Sequence, residues 1–242
     1  MKVAALYDVH GNAPALAAVL AEVPDDAMVV VGGDAVAGPM PVETLAALRE
    51  LGHRACFIRG NADRDLAAGS MEHSAPWIRE RLGEEDTDYL GMLDDTVALD
   101  VEGLGATLFC HGSPRSDEES ITTFTSDERL RSILDGVEQR TIVCGHTHRQ
   151  FDRRLGEWRI VNAGSVGRPY EGRTAAFWTM LGPDVEHRRT EYDVDAMLDS
   201  AAAAGYPTTD ELRENLRDEI PPADEVSRFF EQQALEQAGA GA

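Results

Sequence analysis

Lysine is all but missing from this chain. Lys2 is the only one in 242 residues, so arginine carries nearly all the positive charge. Against 22 Lys and Arg stand 44 Asp and Glu, a formal charge of −22. A field of that sign repels a long polyanion, so duplex nucleic acid is not an expected partner. A small phosphate compound stays admissible, because bound divalent metal inverts the local sign. Acidity of this size also serves solubility. Cysteine is scarce as well. Cys56, Cys110 and Cys144 match neither a disulfide framework nor a CxxC zinc site, and each lies in a short apolar run, so core packing is expected. Aromatic residues make up 6%, and Trp77, Trp158 and Trp178 have no basic stripe beside them, which favours packing over base stacking. No apolar run approaches membrane-spanning length, and the N-terminus reaches polar residues by position 8 without a cleavable leader. A cytoplasmic location and no membrane partner are expected; the sequence carries no signal for an oligomeric state.

What the chain does have is short apolar runs alternating with amphipathic stretches, and 43% hydrophobic content, enough for one compact domain. Residues 2–7, 27–31 and 54–58 read as buried strands, and 14–23 and 41–51 as helices whose first turns carry Pro14 and Pro41. This βαβαβ order predicts an α/β fold with a parallel sheet between helices. One helix is expected over 74–93. Strands follow at 96–101, 106–110, 141–144, 152–155, 158–162, 174–181 and 184–192, with a helix at 127–134. After Asp193 the pattern is helical again, over 196–204, 210–220 and 223–238, with Pro221 and Pro222 before the last helix and a frayed end. This acidic tail carries no candidate ligand and is expected to pack as a cap, giving a main unit over 1–192 and a helical extension over 193–242 on the same domain.

Polar clusters recur where the predicted strands end, which is where open α/β sheets place their sites. They are Asp8-Val9-His10, Gly33-Asp34, Gly60-Asn61-Ala62-Asp63, His111-Gly112 and Gly145-His146-Thr147-His148. Asp and His two residues apart, just past a strand, can both turn onto one metal. Glycines 32 and 33 let Asp34 approach a crowded site, and its carboxylate can bridge two cations. Asn61 offers a neutral amide oxygen to a hard or borderline divalent ion. Asp8, His10, Asp34, Asn61, His111, His146 and His148 together supply donors for two metals rather than one. Any single cluster could be a capping residue or a turn; the argument rests on their ordered recurrence. His53, His73 and His187 lie outside the clusters and are expected at the surface, as is Arg64.

The ordered set DVH, GGD, GNAD, CHG and GHTH resembles the calcineurin-like metallophosphoesterases, and Asn162-Ala163-Gly164-Ser165-Val166-Gly167 resembles the NPGSVG segment of their small bacterial and archaeal phosphodiesterase branch. The resemblance covers roughly residues 1–190. It implies a four-layer α/β/β/α sandwich of two mixed sheets flanked by helices. It further implies that Asp8, His10, Asp34 and His148 hold one divalent metal while Asp34, Asn61, His111 and His146 hold the other, with manganese, iron, zinc or nickel as the ion. Asp63 matches the family acid and is expected to orient a ligand histidine. Family members often place a histidine, proposed to help the leaving group, where this chain has Ala62, although the small phosphodiesterase branch often lacks it.

The expected activity is hydrolysis of a small phosphate ester, most readily a diester, by in-line attack of a hydroxide shared between two metals. Asp34, Asn61, Asp63 and His111 are the residues expected to carry catalysis. Arg168 is the candidate clamp on a phosphate oxygen, against the alternative of a surface pair with Glu171. Ala62 favours a diesterase over a phosphomonoesterase acting on protein or nucleotide. A protein-interaction scaffold on the same fold is the reading from another class, and the complete donor set argues against it.

Overall fold

In the computed structural model, residues 1–70 and 74–240 are described, with side chains through residue 237. Strand β1 (Val3–Leu6) pairs in parallel with β2 (Met28–Val31), and β2 with β3 (Ala55–Phe57). On its other edge β1 meets β9 (Ala176–Leu181) antiparallel, and β9 meets β10 (Val185–Thr190). The second sheet runs β4 (Thr96–Val101), β5 (Gly105–Cys110), β6 (Thr141–Cys144), β8 (Trp158–Asn162) and β7 (Phe151–Leu155), parallel at its centre and antiparallel at both edges.

Period-two alternation explains how the sheets stack. Val3, Ala5 and Tyr7 point to the seam between the sheets and meet Phe109, Val143 and Val161 there, while Ala4 and Leu6 face the helices on the other side. In the second sheet Cys110, Ile142, Cys144 and Ile160 face outward, onto Leu130 and Ile133 of α6 (Asp127–Ile133). Helices α1 (Ala13–Leu20), α2 (Pro41–Glu50), α4 (Ala75–Leu82) and α5 (Glu84–Gly91) cover the first sheet. Two mixed sheets between helices make the four-layer α/β/β/α sandwich. Cys110 and Cys144 are buried and free, as packing residues should be, whereas Cys56 is half-buried. Trp178 is buried with its Nε1 donating to Thr190.

Three local expectations change. The helix expected over 74–93 is two helices, α4 and α5, because Gly83 between them adopts φ 81°, which a helix interior does not accommodate. Residues 61–68, to which the sequence pattern assigns no element, form helix α3 (Asn61–Ala68). The helix expected over 210–220 is α8 (Thr209–Arg213) followed by a wider π turn over Glu214–Asp218. His53 and His187 are exposed as expected, and His73 lies outside the described residues.

The extension comprises α7 (Val194–Ala203), α8 and α9 (Ala223–Ala240). Met197, Leu198, Ala201, Tyr206, Leu212 and Leu216 join the core beside the first sheet. Helix α9 instead lies on the loop after β5, where buried Glu231 accepts from the hydroxyls of Thr122 (2.6 Å) and Thr125 (2.5 Å) and from Arg129 (3.2 Å). No helix among the described residues is long and apolar enough to cross a membrane.

Candidate metal centre

The backbone leaves the pleat at the tips of β1, β2 and β6, and there the side chains converge. Asp8, His10, Asp34, His146 and His148 have φ of 52°, 47°, 52°, 64° and 55°, left-handed values that cost a residue with a Cβ about 1 kcal/mol each. All five are residues the sequence marks as metal donors. Left-handed turns swing consecutive polar side chains from opposite sheet faces toward one point. Close backbone approach completes the arrangement: a Cβ on Gly60 would stand 2.1 Å from Asp34 Oδ1.

Two overlapping groups result, Asp8 with His10 and His148, and Asp8 with Asp34 and His111. Asp8 Oδ1 is buried without a hydrogen-bond partner among the described residues. Around it stand the Nε2 atoms of His148 at 3.2 Å, His10 at 3.8 Å and His111 at 3.8 Å. Asp34 Oδ2 lies 3.5 Å from His111 Nε2 and 3.9 Å from His10 Nε2, so it also spans both groups. Asn61 Oδ1 is 3.1 Å from His111 Nε2. The Nδ1 atoms of His10, His111 and His148 face the carbonyls of Ala37 (3.3 Å), Gly32 (2.8 Å) and Arg168 (2.6 Å). A carbonyl only accepts, so Nδ1 carries a proton, and with a cation in place of a second proton each ring turns its Nε2 lone pair inward. Orphaned carboxylate oxygen, inward lone pairs and an amide oxygen form the donor set of a divalent cation. His146 is placed at the edge: its backbone N–H donates to Asp8 Oδ2 (2.9 Å), and its ring lies 5.3 Å from that of His111.

The electrostatics agree with this crowding. Burial alone would raise the Asp34 carboxyl, but the charge and hydrogen bond of His111, with His10 and His146, hold it well below the usual range. Asp8 is likewise lowered against its burial, by His148 and His111. His10 is pushed down to about 4 by burial and by His148, and His146 to about 4 by burial and by His111. His111 is raised to about 10, since Asp34 and Asp8 outweigh its burial. Such opposed shifts packed into a few ångströms mark a functional cluster.

Asp63 requires a correction. It orients no histidine among the described residues: its Oδ2 accepts from the backbone N–H of Asp34 (2.8 Å) and of Gly60 (3.0 Å), which caps the first turn of α3 and fixes the backbone of Asp34. Burial and the charge of Asp34 raise its carboxyl to about 7. Ala62 contributes through its main chain, donating to Asp34 Oδ1 (2.8 Å).

A cavity of about 330 Å³ opens above this floor of His10, Asp34, Asn61 and Ala62. Arg168 lines it, but its partner is not Glu171, which accepts from the backbone N–H of Gln150 (2.5 Å). Instead the guanidinium pairs with Glu211 of α8 (2.5 Å), while Arg168 Nε has no partner among the described residues. Tyr206 and Thr208 from the extension complete that wall. Behind the donors, Tyr170 stacks on His148 (4.9 Å, 14°), and Phe230 of α9 meets His146 at 5.9 Å. None of these extension residues carried a sequence signal; only the proximity of a folded chain reveals them. Arg64 does not stand free at the surface but binds Asp117 (2.6 Å) and Glu118 (2.6 Å), tying α3 to the loop after His111.

Similar structures share this architecture. A hypothetical protein from Pyrococcus horikoshii OT3 superposes with a TM-score of 0.77 at 22% identity, covering 89% of this chain and 97% of its own. A metallophosphoesterase from Sphaerobacter thermophilus gives 0.75 at 24%, covering 88% and 98%. An archaeal phosphodiesterase gives 0.50 at 15%, covering 78% and 99%. Among curated proteins none matches in sequence. Residues 1–184 match the calcineurin-like phosphoesterase superfamily domain, and the chain belongs to that superfamily.

Proposed function

We propose that this chain is a metal-dependent phosphodiesterase. The observation that carries the reading is the floor of the cavity, where Asp8 and Asp34 lie between the inward Nε2 atoms of His10, His111 and His148. Asp8, His10, Asp34, Asn61, His111, His146 and His148 would hold two divalent ions, because both carboxylates reach both histidine groups. When bound, such ions supply an activated water at neutral pH and neutralise charge building on phosphate oxygens.

The chain's own groups do the rest. Carbonyls of Ala37, Gly32 and Arg168 lock three imidazoles in the ligating tautomer, and Asp63 with the Ala62 amide holds Asp34 in place. Arg168, whose guanidinium lines the cavity, would offer a donor to a non-bridging phosphate oxygen. The side chain of Ala62 has no proton to give, so the departing alkoxide takes its proton from solvent. Ester cleavage thus relies on the stabilised phosphorus centre rather than on assistance to the leaving group. A diester brings one negative charge, which suits a cavity with one arginine in a strongly acidic chain.

The test is to strip the protein with chelator, restore manganese, nickel, zinc or iron separately, and assay a chromogenic phosphodiester beside its monoester, with Asp34→Asn as control. Metal-dependent diester cleavage that the control lacks is the expected result. Preferential monoester cleavage overturns the diesterase assignment, and silence with every metal despite measured metal occupancy overturns catalysis.

A further inference from the structure

Every cation around the cavity has to be weighed against the acids that face it. Arg168 is the arginine lining it, and its guanidinium is already paired with Glu211, a residue 56% exposed at its side chain and carried by α8. The pair holds the fork in place through one carboxylate oxygen of Glu211. Beside it the wall is neutral and polar, from Tyr206, Thr208 and Ser74. Tyr206 is fixed in that wall by its edge-to-face contact with Trp77 at 5.3 Å.

We propose that Glu211 is a charge filter at the mouth of the cavity, which selects phosphodiesters whose second arm is uncharged or cationic and turns away substrates bringing a second negative charge. The proposal rests on the diesterase reading and names its substrate class. A single phosphoryl charge is met at the metal floor and by the Arg168 guanidinium, and an uncharged arm lies along Tyr206 and Thr208. A carboxylate or phosphate on that arm is brought against the Glu211 carboxylate at short range, where solvent screens the repulsion only in part.

The filter also acts on the product. Water oxygen bonds to phosphorus, the bond from phosphorus to the arm oxygen breaks, and the arm departs as an alcohol with one of the water's protons, passed through solvent. The remaining monoester loses its second proton near neutral pH and becomes a dianion. Glu211 then favours its release and opposes a second round of hydrolysis, so the reaction stops at the monoester.

The experiment compares metal-loaded wild type with Glu211→Gln on bis(p-nitrophenyl) phosphate, a monoanion, and p-nitrophenyl phosphate, a dianion. Calorimetric binding of phenylphosphonate dianion and of its monomethyl ester runs alongside. The variant should raise kcat/KM for the dianion about five- to tenfold while the diester moves less than about twofold, an advantage that shrinks as salt screens the carboxylate. Phenylphosphonate should bind the variant tighter by a similar factor, and its monomethyl ester should not. Glu214→Gln, an exposed acid on the same extension, should change neither ratio. Equal changes for mono- and dianions, no change at all, or no binding of either phosphonate overturns the filter. If wild type cleaves neither ester, the diesterase reading fails by itself, and the phosphonate ratio still decides the filter.

Discussion

The strand tips and the C-terminal extension reach the same cavity by different means. At the tips, five non-glycine residues with left-handed backbones are held by main-chain amides, carbonyls and the capping carboxylate of Asp63, and each has its core strand directly behind it. The extension arrives from far along the chain; it touches the cavity through one ion pair and two hydroxyl-bearing side chains, and meets His146 behind it through one aromatic ring. The first region is built for position, since a metal tolerates little displacement of its donors. The second is built for discrimination, since its groups face what the substrate carries beyond its phosphorus. Chemistry and selectivity thus sit on different parts of one chain, and changes in each should leave different marks.

The largest mark is expected from Asp8→Asn, which removes charge at the point shared by both donor groups. Activity should drop on the order of 10³-fold, with reduced metal content on elemental analysis; full metal content with full activity would break the comparison at its root. Next comes a pair of glycines, one in each region. Gly60→Ala forces a Cβ to 2.1 Å from Asp34 Oδ1, and should cost about 1–3 kcal/mol in urea unfolding and weaken metal binding. Gly205→Ala, with φ 70° and open space around it, should cost only about 1 kcal/mol and leave metal binding unchanged.

A smaller effect is expected from pH. Burial and Asp34 raise the Asp63 carboxyl to about 7, so the folded state holds this proton more tightly than the unfolded chain. The stabilisation is fully present below about pH 4 and disappears as pH rises through about 7. In chelator-treated protein, the stability of wild type relative to Asp63→Asn should fall between pH 4 and 7.5. His10 and His146, whose pushed-down values of about 4 give the opposite slope, are common to both proteins. A gap that does not vary with pH would remove the buried neutral acid from the account. The smallest expected change is from Glu231→Gln, which weakens the hold of α9 on Thr122, Thr125 and Arg129. It should lower stability by about 1 kcal/mol and leave metal content alone; loss of metal would mean that α9 belongs with the strand tips.

The same division separates what was legible in the sequence from what was not. The strands and donor clusters read well because both signals are local: an apolar run ends, and a polar pair follows within two residues. Asp63 was misjudged because an acid beside a donor cluster suggests a histidine partner, whereas at the third position of α3 it caps backbone. That helix itself was missed because Gly-Asn-Ala-Asp resembles a turn until Asp63 is seen accepting from Gly60. Glu171 lies three residues from Arg168 and looked its natural partner; Glu211 wins because folding brings α8 over the cavity, a proximity that no spacing encodes.

The left-handed backbones at Asp8, His10, Asp34, His146 and His148 set this chain's stability and its usefulness against each other. A sequence chosen only to endure heat or denaturant would place glycine at each of these positions, where the conformation is free of steric penalty. Histidine and aspartate are there at a cost to the fold itself. Improving the protein's robustness by changing its least comfortable residues would therefore dismantle the very positions that give it something to do.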